Sequence, residues 1–117
     1  MGTLRGGIGV KQGLAPYRNS IYNMPMIQSF KCNDTKALHQ RRRVVRWVNI
    51  EAAARRKLDQ LDAAGELRDM ASPPGNRLEA LSGKRKGQHS IRVNDQFRVC
   101  FVWTPRGPKD VEIVDYH

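Results

Sequence analysis

The sequence predicts an α+β fold, with helices laid on one face of a small sheet. Two short connections, Asn94-Asp95 and Pro105-Arg106-Gly107-Pro108, divide the C-terminal region into three alternating segments, the pattern of an antiparallel meander. Upstream, Ile50, Ala54, Leu58 and Leu61 recur at helical steps and mark one long amphipathic helix. A chain of 117 residues is long enough for one domain with one core.

Taken in order, residues 1–25 stand apart. Gly2, Gly6, Gly7, Gly9, Gly13, Pro16 and Pro25 interrupt every period, so this stretch reads as a flexible extension before a compact domain at 26–117. Met24 and Met26 offer internal start sites, and the expectation is that the compact protein begins at Met26. Residues 26–32 alternate apolar and polar, as a short strand does. Asn33-Asp34-Thr35 is a helix-start cluster for a short helix through Ala37, Leu38 and His39. The long helix is expected over 48–64, with Asn49 as its N-cap, Gly65 as its stop, and Arg55, Arg56 and Asp59 on its wet face. Ser72-Pro73-Pro74-Gly75 is a rigid loop, residues 77–81 a single helical turn, and 82–87 a basic loop bounded by glycines. Strands are expected over 88–93, through Phe97-Val99-Phe101-Trp103, and over 109–116. Arg98, Cys100, Val102 and Thr104 then face away from Phe97, Val99 and Phe101.

Charge narrows the function classes. Lys and Arg number 21 against 11 acids, a formal charge of +10, which favours a polyanionic partner through long-range attraction and counterion release. The cations fall into separate runs: Arg41, Arg42, Arg43 and Arg46; Arg55, Arg56 and Lys57; Lys84, Arg85 and Lys86. Such a distribution fits an RNA- or ribosome-facing surface better than a nuclear-targeting peptide. Cys32 and Cys100 lie in apolar strand patterns without metal-ligand spacing, so they read as reduced thiols and no metal or cofactor is expected. No stretch approaches the roughly 20 apolar residues of a membrane span, and no secretory signal is visible. The expectation is a cytoplasmic protein without membrane contact.

The last strand runs into Asp115, Tyr116 and His117, three residues able to exchange protons or contact a phosphate. Either the end of the chain is part of a site, or Tyr116 packs and His117 is free. Arg98 projects from the middle strand, either as a phosphate clamp or as a structural ion-pair partner.

Four segments in this order, residues 72–83, 87–94, 97–103 and 111–117, resemble the HigB-type toxins of the RelE/ParE superfamily, and most closely the branch that includes GraT. The likeness covers 26–117. It implies a small twisted antiparallel sheet with two N-terminal helices packed on it. It also implies a ribosome-dependent messenger-RNA endonuclease that inhibits translation and growth. The partners implied are the ribosome with translated mRNA and a HigA-type helix-turn-helix antitoxin. DNA would be reached only through that antitoxin, since this chain shows no helix-turn-helix pattern. The resemblance places His117 in the active cleft, with Arg98, Tyr116 and Asp115 as further catalytic candidates. Several relatives carry histidine where Glu79 stands here, so Glu79 either substitutes as a base or matters little. Arg77, Lys84, Arg85 and Lys86, with the runs at Arg41, Arg42, Arg43, Arg46, Arg55 and Arg56, are candidate RNA and ribosome contacts. Two other classes stay open: a non-catalytic ribosome binder, and a regulatory partner in a DNA-binding complex with its antitoxin.

Overall fold

The computed structural model describes residues 26–116. Helix α1 spans Asn33–His39 and α2 spans Glu51–Ala63. Four strands follow, β1 Glu79–Ala80, β2 His89–Arg92, β3 Phe97–Thr104 and β4 Gly107–Asp115, in an antiparallel sheet of order β1-β2-β3-β4. The expected α+β layer is therefore present, with the N-terminal helices packed on the sheet.

Burial follows the periodicity. Ile50, Ala54, Leu58 and Leu61 all turn inward. They meet Ile91, Val99, Phe101, Val111 and Ile113 from one face of the sheet, with Leu38, Trp47 and Met70 closing the core. Thr35 of α1, fully buried, accepts a hydrogen bond at Oγ1 from the Ile113 amide (3.0 Å), which ties helix to sheet at a point where apolar contact alone would leave that amide unpaired. Among the described residues no helix is long and apolar enough to cross a membrane.

Several expectations need correction. Residues 77–81 do not form a helical turn. Pro74–Asn76 makes a 3-10 turn instead, Arg77 takes a left-handed conformation (φ 46°), and Glu79–Ala80 pairs with Ser90 and His89. Pairing with β2 satisfies backbone groups that an isolated turn would leave to water. The long helix is entered through a 3-10 segment at Val45–Ile50, so Asn49 lies inside it and caps nothing. Residues 26–31 run extended beside β4, but only the Phe30–Val111 bridge is a ladder pair, and it is parallel. Backbone bonds from Gln28 N to Pro108 O (2.7 Å) and Lys31 N to Val111 O (2.9 Å) hold this segment. β4 starts at Gly107, two residues before the expected 109, because the turn consists of Pro105-Arg106 alone. Gly107 adopts φ +120°, and a side chain there would run into the backbone of Met26. The first 25 residues, and the start-site expectation with them, lie outside the described residues.

The packing makes a stability prediction. Leu58 is fully buried between α2 and the sheet. Leu58→Ala should lower the unfolding free energy by about 2–5 kcal/mol in a urea melt. A loss under about 1 kcal/mol would mean that the helix is not a load on this core.

Candidate functional site

The hairpin between β2 and β3 decides where the charges go. Its register sets Arg92 directly opposite Arg98. Alternation sends both away from the face that carries Ile91 and Val99 into the core, along with Ser90 and Cys100. Like charges in such a position repel. Carboxylates offset this: Asp95 pairs with Arg92, and Glu79 Oε1 lies 3.8 Å from Arg98 Nη2. The turn itself is an Asx turn, in which Asn94 Oδ1 accepts from the amides of Gln96 (2.9 Å) and Phe97 (2.7 Å).

Arg98 is held more firmly than a surface arginine. Its side chain is only 11 % exposed. Nε donates to Ser90 Oγ (2.7 Å), from a serine that is itself fully buried. Nη2 donates to the carbonyl of Arg77 (2.5 Å) and approaches that of Ser90 (3.3 Å). The left-handed turn at Arg77 is what presents that carbonyl to the cleft. The turn is anchored in turn by Asn76, a fully buried amide. Its Nδ2 donates toward the carbonyls of Met70 (3.1 Å) and Ser72 (3.2 Å) and toward Gln60 Oε1 (3.2 Å), and its Oδ1 accepts from Lys57 Nζ (2.6 Å). Burial pushes the Lys57 ammonium below the ordinary lysine range, and the nearby positive charges of Arg56 and Arg92 push the same way.

These groups enclose an open cleft of about 600 Å³. Gly75, Arg77, Glu79, Arg92, Asn94, Asp95, Arg98 and Tyr116 line it. The Tyr116 ring centre is 6.0 Å from the Arg98 guanidinium carbon, at the limit of a cation–π contact, and the residue is 40 % exposed. A cleft of this kind presents fixed N–H donors to an anion and an exposed ring face to a flat group.

Of the residues singled out by sequence, Arg98, Glu79, Tyr116 and Arg77 come together here. Asp115 does not line the cleft. It pairs in register with Phe97, on the sheet face opposite to Arg98, and it accepts a hydrogen bond from Gln96 Nε2 (3.0 Å). His117 lies outside the described residues. Arg85 is drawn to Glu112 (3.2 Å) and Gln88, while Lys84 and Lys86 beside it are exposed. The helical arginines divide. Arg55 is one-fifth exposed and bonds the carbonyls of Leu38 and Arg42 and the carboxylate of Glu51. Arg41 pairs with Asp59 (2.5 Å), and Arg46 with Asp34 (3.1 Å) while it stacks on Trp47. Arg42, Arg43 and Arg56 lie in the open, with Arg42 bonded to Gln40. Cys100 is fully buried, and burial pushes its thiol up despite Arg85 nearby, so it is an unreactive thiol. Sequence reasoning passed over Arg92, Asn94, Asp95 and the Lys57–Asn76 pair. Arg92 had a usable signal, since it alternates with Ser90 on a strand one hairpin away from Arg98.

Residues 28–117 match the family model described as RelE-like toxin of type II toxin-antitoxin system HigB. The chain belongs to the HigB-like toxins. It is 54 % identical over 55 residues to Toxin HigB-1 of Vibrio cholerae serotype O1, across 47 % of this chain and 58 % of that protein. It is 42 % identical over 53 residues to an uncharacterized protein of Haemophilus influenzae, across 45 % of this chain and 52 % of that protein. In each case the chain spans little more than half the length of the curated relative it matches.

The anchor under this HigB-like cleft can be tested. Asn76→Ala would strand the buried Met70 carbonyl and the Lys57 ammonium. The variant should lose about 2–3 kcal/mol of stability by denaturant titration. A near-neutral result would show that the loop is not held through Asn76.

Proposed function

We propose that this chain is the toxin of a type II toxin–antitoxin pair and cuts messenger RNA on the translating ribosome, thereby inhibiting translation and growth. The observation that carries the reading is the held Arg98 beside Arg92 in an open cleft, with Tyr116 in its lining. RNA is cut without a metal when its 2′-OH attacks the adjacent phosphorus. That reaction needs a proton acceptor, a proton donor for the leaving oxygen, and cations on the crowded phosphate. Arg98 serves as the phosphate clamp, because its Nε and Nη2 are already fixed to the protein and its plane cannot swing away. Glu79, 3.8 Å from it, is the candidate base. Tyr116 stacks on or hydrogen-bonds the RNA, and His117 exchanges a proton with it. Asp115 acts by fixing the end of β4 through Gln96.

The other partners follow from family membership and charge. A HigA-type helix-turn-helix antitoxin holds the toxin inactive, and DNA is bound only through it. Within the family the chain falls in the GraT-like branch. Arg42, Arg43, Arg56, Lys84 and Lys86, which are exposed, supply the sequence-independent phosphate contacts to the ribosome. Arg41, Arg46, Arg55 and Arg85 contribute less, since each is already paired. One observation favours a second reading, a non-catalytic ribosome binder. Both carboxylates lining the cleft lie against arginines, so neither stands apart as a dedicated partner for an RNA hydroxyl.

Primer extension on translated mRNA separates the two. The wild-type chain should give discrete cuts in translated message and little or none in naked RNA. Ribosome stalling without cuts would establish the binder instead. Arg98→Ala should keep its circular-dichroism spectrum and lose cutting by about 10²–10³-fold, the usual cost of removing one charged donor from a transition state. A folded Arg98→Ala chain that still arrests growth would remove Arg98 from the mechanism. Deleting Tyr116 and His117 should abolish cutting with little loss of stability. A truncated chain that cuts at the parent rate would show the terminus to be dispensable.

A further inference from the structure

We infer that Glu79 and Asp95 are built-in counter-ions that occupy the phosphate positions of the cleft and so set how tightly it takes RNA. The inference rests on the proposal that this cleft binds RNA. It goes further by giving the two carboxylates a role against binding. Three guanidiniums and two carboxylates line the cleft, an excess of a single positive charge in a chain whose formal charge is +10. The most cationic protein surface one would expect is therefore nearly neutralised where RNA would enter.

The asymmetry within each pair identifies the replaceable partner. Arg98 is 11 % exposed and bonded to Ser90 and Arg77, whereas Glu79 opposite it is 56 % exposed on a two-residue edge strand. Arg92 is 34 % exposed on β2, whereas the Asp95 side chain is fully exposed at the tip of the hairpin. The cations are fixed and the anions are solvated. A carboxylate presents the same acceptor oxygens to a guanidinium fork as a phosphate does. Exposed ion pairs contribute little stability, so an incoming phosphate displaces such a carboxylate at small cost. The arrangement also answers the repulsion between Arg92 and Arg98, which the strand register sets opposite each other. Without RNA the carboxylates keep two facing arginines compatible with the fold. With RNA, phosphates take their place.

The test is fluorescence anisotropy of the full chain with a labelled 2′-O-methyl oligoribonucleotide, which lacks the attacking hydroxyl and so reports binding alone. The double variant Glu79→Gln/Asp95→Asn should bind about threefold or more tighter than wild type at low salt. Its affinity should fall more steeply with salt, by about 0.7 in log–log slope for each additional phosphate neutralised. Asp95→Asn alone, at a fully exposed turn position, should shift affinity in the same direction without disturbing the fold. Equal or weaker binding by both variants would overturn the inference. Arg98→Ala tells the two possible failures apart. If it weakens binding while the carboxylate variants leave it unchanged, the cleft binds RNA and only the counter-ion role is wrong. If Arg98→Ala binds like wild type, RNA lies elsewhere, and both the cleft reading and this inference fall.

Discussion

The guanidinium of Arg98 is fixed on two sides before any ligand arrives, and the rest of the cleft is arranged around that fact. A buried serine hydroxyl takes its Nε and a backbone carbonyl takes Nη2. A free arginine would lose side-chain entropy on gripping a phosphate. Here that loss has already occurred during folding. Each support comes from a different part of the chain: Ser90 from β2, the Arg77 carbonyl from the turn after Pro74–Asn76, and the turn itself from Asn76 and Lys57 on α2. A change in helix packing would therefore reach the cleft through a chain of hydrogen bonds.

The same arrangement explains why a basic chain needs carboxylates in its own cleft. The hairpin register that brings Ser90 to Arg98 also brings Arg92 opposite it. The supporting serine and the repelling arginine are two residues apart on one strand face, so the first cannot be had without the second unless the strand sequence changes. Asp95 and Glu79 offset the repulsion from outside, on solvated side chains. Elsewhere the arginines serve different ends. Arg55 ties α2 to the end of α1 and the loop after it by bonding the carbonyls of Leu38 and Arg42, and Arg41 and Arg46 tie neighbouring segments together. Counting cations overstates the surface open to a polyanion, because several are consumed by the fold.

Local pattern carried much of this into the sequence. The stripe from Ile50 to Leu61 was readable because burial on a helix is periodic, and all four of its residues are buried. The meander was readable because Asn94-Asp95 and Pro105-Arg106 have turn chemistry that depends on few neighbours. Alternation was enough to set Arg98 on the face away from Phe97, Val99 and Phe101, which is the face that carries the cleft. What escaped depends on distant pairing. A two-residue strand such as Glu79–Ala80 has no period, and it exists only because β2 lies beside it. The closeness of Arg92 to Arg98 is a matter of register. Asp115 illustrates the converse: adjacent Asp115 and Tyr116 at a strand end invite one common site, yet successive residues on a strand point to opposite faces.

In the proposed mechanism Arg98 acts as a fork held in one orientation rather than as a positive charge at that place. Arg98→Lys keeps the charge and removes the fork, since an ammonium on a flexible stem cannot bond Ser90 and the Arg77 carbonyl and still present planar donors to a phosphate. The decisive measurement is the single-turnover rate of message cleavage on programmed ribosomes for the Arg98→Lys chain against its parent. The rate should lie within about tenfold of that of Arg98→Ala, with the message still bound. A lysine variant that cuts at the parent rate would contradict it, and charge alone would then suffice at this position.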